Sequence, residues 1–451
     1  MRAHETDTLP QSDVSAGVGL AGLLGLFVWI LFCRTYPLTA EWLNLPGPRQ
    51  VLSGPHAALA AMLFTAGPMA IWSLLVDRVH LRPSTGIDWK RPRPVSAVIE
   101  TSVVKIAGIW ATWAVLAALY ALCRWYWNGQ YLFAMEALRT AVIPLVVLSI
   151  PYVVWLDRVL VEPRDHAWHF GAMLIGREEW DGDEVKKHWR AWIIKGFFGA
   201  FMISILPPGF AEVVEADLPA MMADPVRLGS LLVALLFVVD VQIGTVGYLV
   251  TLRPLDAHIR SGNPFLGGWL AALICYPPFV WGVIGNGDVL SYEHNVAGWG
   301  HWFAGNDMLL WVWAGWLAFL TAIYAWATVA FGIRFSNLTY RGVLTNGPYR
   351  FTRHPAYLSK NLFWWCSVMP FLVTSDSVAD AIRNTFFLLC VNAIYFWRAK
   401  TEEAHLLAED PKYAAYHRWM ERRGLITAPL ARLRDRLRAR RPAGGLAEPA
   451  E

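Results

Sequence analysis

The sequence predicts an all-α fold, a polytopic transmembrane helical bundle of about ten spans with both termini cytoplasmic. Three observations carry this prediction. Of the 451 residues 56% are hydrophobic and only 16% charged, against roughly 45–50% and 25% in ordinary globular chains. The apolar residues gather in blocks of about 20, long enough at ~1.5 Å per residue to cross a ~30 Å hydrocarbon core. Lysine and arginine concentrate in alternate loops, as the positive-inside bias requires. In lipid every backbone polar group needs an internal partner, which leaves helices as the spanning element.

In chain order the expected spans are 17–33, 57–76, 103–123, 139–158, 190–211, 229–251, 266–285, 308–331, 359–375 and 379–398. The ninth is short and carries Pro370 near its end, so it is expected to tilt, break or re-enter. Loop 77–102 holds five cations (Arg78, Arg82, Lys90, Arg91, Arg93). Loop 158–190 holds six (Arg158, Arg164, Arg177, Lys186, Lys187, Arg190), and loop 332–360 again holds five. The intervening loops are poor: 34–56 has two, 213–227 one and 287–306 none. This asymmetry explains the net charge of +4 without any nucleic-acid partner. The arginine-rich stretch 431–445 is read either as a contact for anionic headgroups or as a solvated tail.

The texture divides the chain into a polar tail (1–16), a six-helix module (17–252), a second membrane module (266–425) and a basic tail (426–451). The boundary is placed at RPLDAHIRSGNPF, 253–265, for its Gly and Pro content. The polar start MRAHETDTLPQSDVS does not read as a signal peptide, so the first span is expected to be retained. Cys33, Cys123, Cys275, Cys366 and Cys390 lie in or beside spans and form no CxxC, which indicates neither a disulfide framework nor a zinc ribbon.

Gly17, Gly19 and Gly22 spell GxGxxG, but they open a membrane helix and lack a preceding strand. They are read as small residues that admit a close neighbour helix, not as a dinucleotide site. His166, His169 and His188 share loop 161–190 with Glu178, Glu179, Asp181, Asp183 and Glu184. The loop alternates acid and base as a solvated amphipathic segment does, so no metal is assigned. Asp240, in LFVVDVQIG, is an intramembrane carboxylate. It either binds an ion or substrate group or accepts a hydrogen bond from a neighbouring helix.

The densest polar feature is GPYRFTRHPAYLSKN, 347–361, set directly against an apolar run. Pro348 and Pro355 force extended backbone at Gly347 and His354, giving a shaped loop and then a helix from about Ala356. Beyond the tenth span, Arg398 and Glu402 stand i, i+4 on one helix face, with His405 three residues on. The tight turn TSDSVAD should pack spans nine and ten antiparallel. That returns Arg398 and Glu402 to the membrane face of His354 and Tyr357. A carboxylate, two arginines, a histidine and two tyrosines then converge beside apolar helices, a geometry suited to a polar cofactor and a lipidic acceptor.

The elements FSNLTYRGVLTNGPYRFTRHPAYLSKN (335–361) and RAKTEEAHLL…YAAY (398–416) resemble the isoprenylcysteine carboxyl methyltransferase family, with a looser version in phospholipid N-methyltransferases. The family pattern is met by Gly347 and Tyr349, Arg353 through Ser359, Arg398, Glu402 through Leu406, and Tyr413 with Tyr416. The likeness covers about 335–425 and does not reach the first six spans.

The resemblance implies S-adenosylmethionine held by Tyr349, His354, Pro355, Ala356, Tyr357 and Glu402, with Val343 and Leu344 along its adenosine side. It implies Arg398 and Arg353 as catalytic residues, Arg398 facing a lipid, lipidated or otherwise amphiphilic acceptor. It also implies a bacterial plasma-membrane enzyme with its site towards the cytoplasm. A carboxylate acceptor needs no general base, whereas an amine or thiol does, and His405 or Glu403 is then the candidate. Ser359 stands where the motif usually has glycine, Arg341 where the prenylcysteine enzymes carry histidine, and the loop from Asn337 to Arg341 is shorter. These departures bear on the acceptor. The other reading is a non-catalytic transporter or assembly protein retaining a degraded methyltransferase module, motivated by the six extra spans and Asp240.

Overall fold

The computed structural model describes residues 8–177, 179–285, 289–374 and 376–439. Glu178 of the acidic loop, the first seven residues and the tail from 440 onward lie outside them. The helices are α1 (Ala16–Trp42), α2 (Pro55–Ile71), α3 (Val95–Cys123), α4 (Leu132–Val159), α5 (His166–Leu174), α6 (Gly182–Glu215), α7 (Leu218–Met222) and α8 (Pro225–Leu249). They continue with α9 (Leu266–Leu273), α10 (Trp299–Trp302), α11 (Asp307–Phe331), α12 (Pro355–Val368), α13 (Val378–Glu409), α14 (Pro411–Arg423) and α15 (Thr427–Ala439).

Short polar side chains start many of these helices by accepting from the first free N–H groups. Asp181 does so for α6, Asp224 for α8, Asn306 for α11, Ser377 for α13 and Asp410 for α14. Prolines interrupt α1, α4 and α6 without ending them.

Among the described residues seven helices are long and apolar enough to cross a membrane: Ala16–Trp42, Pro55–Val76, Val95–Cys123, Gly129–Val159, Gly182–Glu215, Pro225–Leu249 and Asp307–Arg334. The other three of the about ten expected blocks do not form single apolar helices of that length. The block 266–285 is helical only over the 8 residues of α9, about 12 Å of rise, before consecutive Pro277 and Pro278 remove two helix donors. The block 359–375 becomes the 14-residue α12, about 21 Å long, which ends at Met369 in a left-handed conformation just before Pro370. The tenth block is part of the 32-residue α13, which runs on past Arg398 to Glu409 without a break. One rigid helix therefore presents Arg398, Glu402, Glu403 and His405.

The main core lies where α1, α2, α6, α8 and α11 meet, around Leu26, Met69, Phe210, Ile243, Val246 and Ile333. Close approach there needs glycine. A Cβ on Gly19 of α1 would sit 1.9 Å from the Val329 carbonyl oxygen of α11, and one on Gly247 of α8 2.2 Å from that of Phe335. This core joins α1, α2, α6 and α8 to α11. The segment 253–265 is stitched into it as well: Ser261–Gly262 (β1) pairs antiparallel with Thr339–Tyr340 (β2).

Candidate functional site

The site is framed by the loop between α11 and α12, and buried arginines hold that loop in shape. Arg334 donates to Asp256 at 2.6 Å and to the Arg341 carbonyl at 3.0 Å. Asp256, in the connection after α8, also accepts from Ser84 at 2.8 Å and Arg260 at 3.2 Å. Arg341 is 3% exposed and donates to the carbonyls of Gly247 (2.7 Å), Phe335 (3.0 Å), Ile333 (3.1 Å) and Ala257. Burial, with Arg334 nearby, lowers its pKa to about 9, which leaves it cationic at neutral pH. A planar fork of five donors suits such a task. At this position the resemblance has a histidine, and here the arginine satisfies freed carbonyls at the ends of α8 and α11.

The loop's far side rests on the N-terminal segment. Asp13 and Val343 exchange backbone N–H to O (2.9 Å) and backbone N–H to carboxylate (2.7 Å) bonds, and Lys412 of α14 donates to Asp13 at 2.6 Å. Thr345 donates to the Pro10 carbonyl at 2.7 Å, and Asn346 to that of Val14 at 2.9 Å.

These walls, with α12, α13 and α14, enclose a cavity of about 160 Å³. Val343, Leu344, Tyr349, Arg353, His354, Ala356, Tyr357, Arg398 and Glu402 all line it. Pro355 does not. It occupies the first turn of α12, where its fixed φ suits a helix start and its missing N–H costs nothing.

At the centre Tyr357 donates to Glu402, and Arg398 Nε reaches the same carboxylate oxygen at 3.3 Å. Arg398 Nη2 donates to the Asn337 side chain at 2.5 Å. Asn337 in turn donates to the hydroxyls of Tyr248 (2.6 Å) and Tyr276 (3.0 Å). The Arg398 guanidinium lies over the rings of Tyr357 and Tyr276 at 5.1 and 5.5 Å, and Lys360 lies over those of Trp364 and Tyr324 at 5.2 and 5.5 Å. Aromatic faces stabilise cations held out of water.

Glu403 belongs to a second cluster. Its carboxylate is 2.8 Å from Arg353 Nε, 3.0 Å from His354 Nε2 and 2.7 Å from Lys400 Nζ. The Arg353 approach is an ion pair out of line for a hydrogen bond, so Nε and Nη1 are buried without an acceptor among the described residues. Burial opposes charge on Glu403, but His354, His417 and Lys400 outweigh it and hold the carboxyl far below the usual range. Glu403 is therefore poorly suited to take up a proton. His405 also lines the cavity. Burial lowers its pKa, partly offset by Glu409, and its Nε2 lies 3.0 Å from Ser261 Oγ.

Asp240 accepts a hydrogen bond from Thr328 of α11, behind the cavity wall that Thr328 and Tyr324 form. His188 meets His166 (3.1 Å) and Thr112 (2.7 Å), while His169 accepts from the Asp181 backbone at 3.1 Å. Among the described residues no group of three or more His, Cys, Asp or Glu side chains is arranged to hold a metal.

Sequence reasoning missed Asn337, Tyr248, Tyr276 and Tyr395 as parts of the site. Asn337, beside Ser336 and near Thr339 in FSNLTYR, gave no local signal that sets it apart. The tyrosines sit in apolar segments remote in the chain and gave none.

Residues 303–420 match a family model described as a protein of unknown function, DUF1295. The match spans α11 to α14 and so contains most of the cavity's lining. No curated protein and no solved structure matches the chain.

Proposed function

We propose that this chain is an integral membrane methyltransferase that uses S-adenosylmethionine and acts on a lipidic or membrane-partitioned acceptor, with its cavity towards the cytoplasm of a bacterial plasma membrane. The observation that supports it best is the convergence of 343–357 and 398–406, segments far apart in the chain, on one cavity.

The residues present suit the cofactor. Arg353, whose Nε is paired with Glu403, offers in Nη1 a buried donor without an acceptor among the described residues, the right chemistry for the cofactor's carboxylate. Glu402 offers a carboxylate for its α-amino group. Val343, Leu344 and Tyr349 give an apolar side for adenosine. When bound, the cofactor supplies an electrophilic methyl group on a sulfonium.

The chain's own task is then to position and desolvate the reacting pair. Arg398, fixed by Asn337 and by the tyrosine rings, holds Glu402 and turns its charge towards the acceptor. Tyr357 locks the same carboxylate. For an amine or thiol acceptor, His405 is the better placed group to remove a proton, since Glu403 is committed to cations. At about 160 Å³ the cavity is smaller than the ~300–1,000 Å³ of drug-sized sites.

The test is calorimetric binding of S-adenosylhomocysteine to the purified full chain, wild type beside Glu402→Ala. The expected result is micromolar binding that the variant loses. A well-folded wild type that binds nothing would overturn the reading and favour the transporter or assembly protein with a relic module.

A further inference from the structure

A second cavity, of about 380 Å³, lies between α6, α8, α11 and α12. It shares no lining residue with the first. Its walls are mostly apolar, including Leu206, Val238, Val241, Leu317 and Phe363. The sequence makes the space. Pro207 and Pro208 remove two donors from the α6 ladder. Gly209 follows with no side chain, where a Cβ would come 3.3 Å from Val238 Cγ2.

One polar side chain reaches in from the bundle's interior. Gln242 is fully buried and donates through Nε2 to the Ala58 carbonyl of α2 at 3.0 Å. Its Oε1 has no partner among the described residues, although Gln242 lines the cavity. Away from water an unpaired amide oxygen is costly, and it needs a donor. At the other end stand Gly229, Ser230 and Glu212. From residue 229 to 242 along α8 is about 20 Å, two-thirds of the ~30 Å hydrocarbon core. Phe237, 36% exposed, leaves a side open towards lipid. The bond from Thr328 to Asp240 ties α11 to α8 beside the first cavity. An engineered apolar cavity of ~150 Å³ takes up benzene, so 380 Å³ admits far more than a water.

We infer that this cavity binds the chain of a long-chain alcohol whose hydroxyl donates to Gln242 Oε1. The shared chemistry of a fatty alcohol and an isoprenoid alcohol is what the site reads: a single flexible apolar chain and one donor at its end. A ligand without a donor leaves Oε1 unpaired and is discriminated against. This inference stands apart from the methyltransferase reading, because it uses none of the cofactor residues.

The test uses the full chain in nanodiscs, a hexadecanol carrying a diazirine in its chain, and the methyl ether of the same probe, with labelled peptides mapped by mass spectrometry. Expected are saturable labelling of peptides from α6 and α8 and about tenfold weaker half-saturation for the ether. An unlabelled fatty alcohol and an unlabelled isoprenoid alcohol then compete in separate arms, and the stronger competitor gives the source. Gln242→Leu should equalise alcohol and ether, and Val238→Trp should abolish labelling. Equal labelling of wild type by both probes would reduce the cavity to an unselective apolar void and overturn the inference. So would absent saturation, or labelling that survives Val238→Trp. The wild-type comparison of probes decides the matter even if a variant fails to fold.

Discussion

Tyr357 and Glu402, 45 positions apart, meet in a hydrogen bond at the centre of the first cavity, and Arg398 closes on the same carboxylate oxygen from one helical turn away. The short α12 and the long α13 bring them together. Neither residue has to leave its helix for the other.

Glu402→Ala should lower affinity for S-adenosylhomocysteine by ~10- to 100-fold, the scale of a charge-assisted hydrogen bond or two. Tyr357→Phe should lower it by about threefold to tenfold, since it only unlocks the carboxylate. Calorimetric titration separates the two; melting temperature should fall in Glu402→Ala, which leaves the buried Arg398 without its carboxylate, and move little in Tyr357→Phe.

Glu403→Gln should behave as a structural lesion. Glu403 is 5% exposed and faces Arg353, His354 and Lys400, so neutralising it leaves the nearly buried Arg353 without its carboxylate, at a cost of about 3–5 kcal/mol. Denaturant or thermal unfolding in detergent reads it.

Acidification should act through the same group. Its folded pKa is depressed below an unfolded value of about 4.3. The stability it contributes is therefore complete above about pH 5 and is lost as pH falls from there through the folded pKa. Wild type should lose melting temperature below about pH 5, and Glu403→Gln should show a flatter acid limb. Equal acid limbs would overturn the assignment of Glu403 as the hub.

Arg341→Lys should destabilise by about 2–4 kcal/mol although the charge is kept. An ammonium cannot reach the four carbonyls the guanidinium fork serves. Arg341→His, which restores the residue of the resembling enzymes, should be no better here.

Asp13→Ala should loosen the site from outside it. The variant loses the bonds from the Val343 N–H and from Lys412, at about 1–3 kcal/mol. Since Val343 lines the cavity, cofactor affinity should fall several-fold without any change in a cofactor-touching residue.

The sequence alone determined the membrane-helix class and the apolar blocks that became the seven long helices, and it named nine of the residues that line the cavity, from Val343 to Tyr357 with Arg398 and Glu402. Those features are local. Composition, an i, i+4 spacing and proline's fixed φ act within a turn or a block, where the chain's own covalent geometry sets the answer. It read the block 266–285 as one helix where Pro277 and Pro278 leave only α9, because hydropathy does not register two missing donors. Only the tertiary structure decided which of two adjacent glutamates faces the cavity and which is consumed by cations. Only it joined Asp13 to Val343 across 330 residues, Asn337 to Tyr248 across 89, and Gln242 to Ala58 across 184. Such pairs are fixed by how helices pack around the α8 core, and buried polar groups then take whichever partner that packing brings within reach.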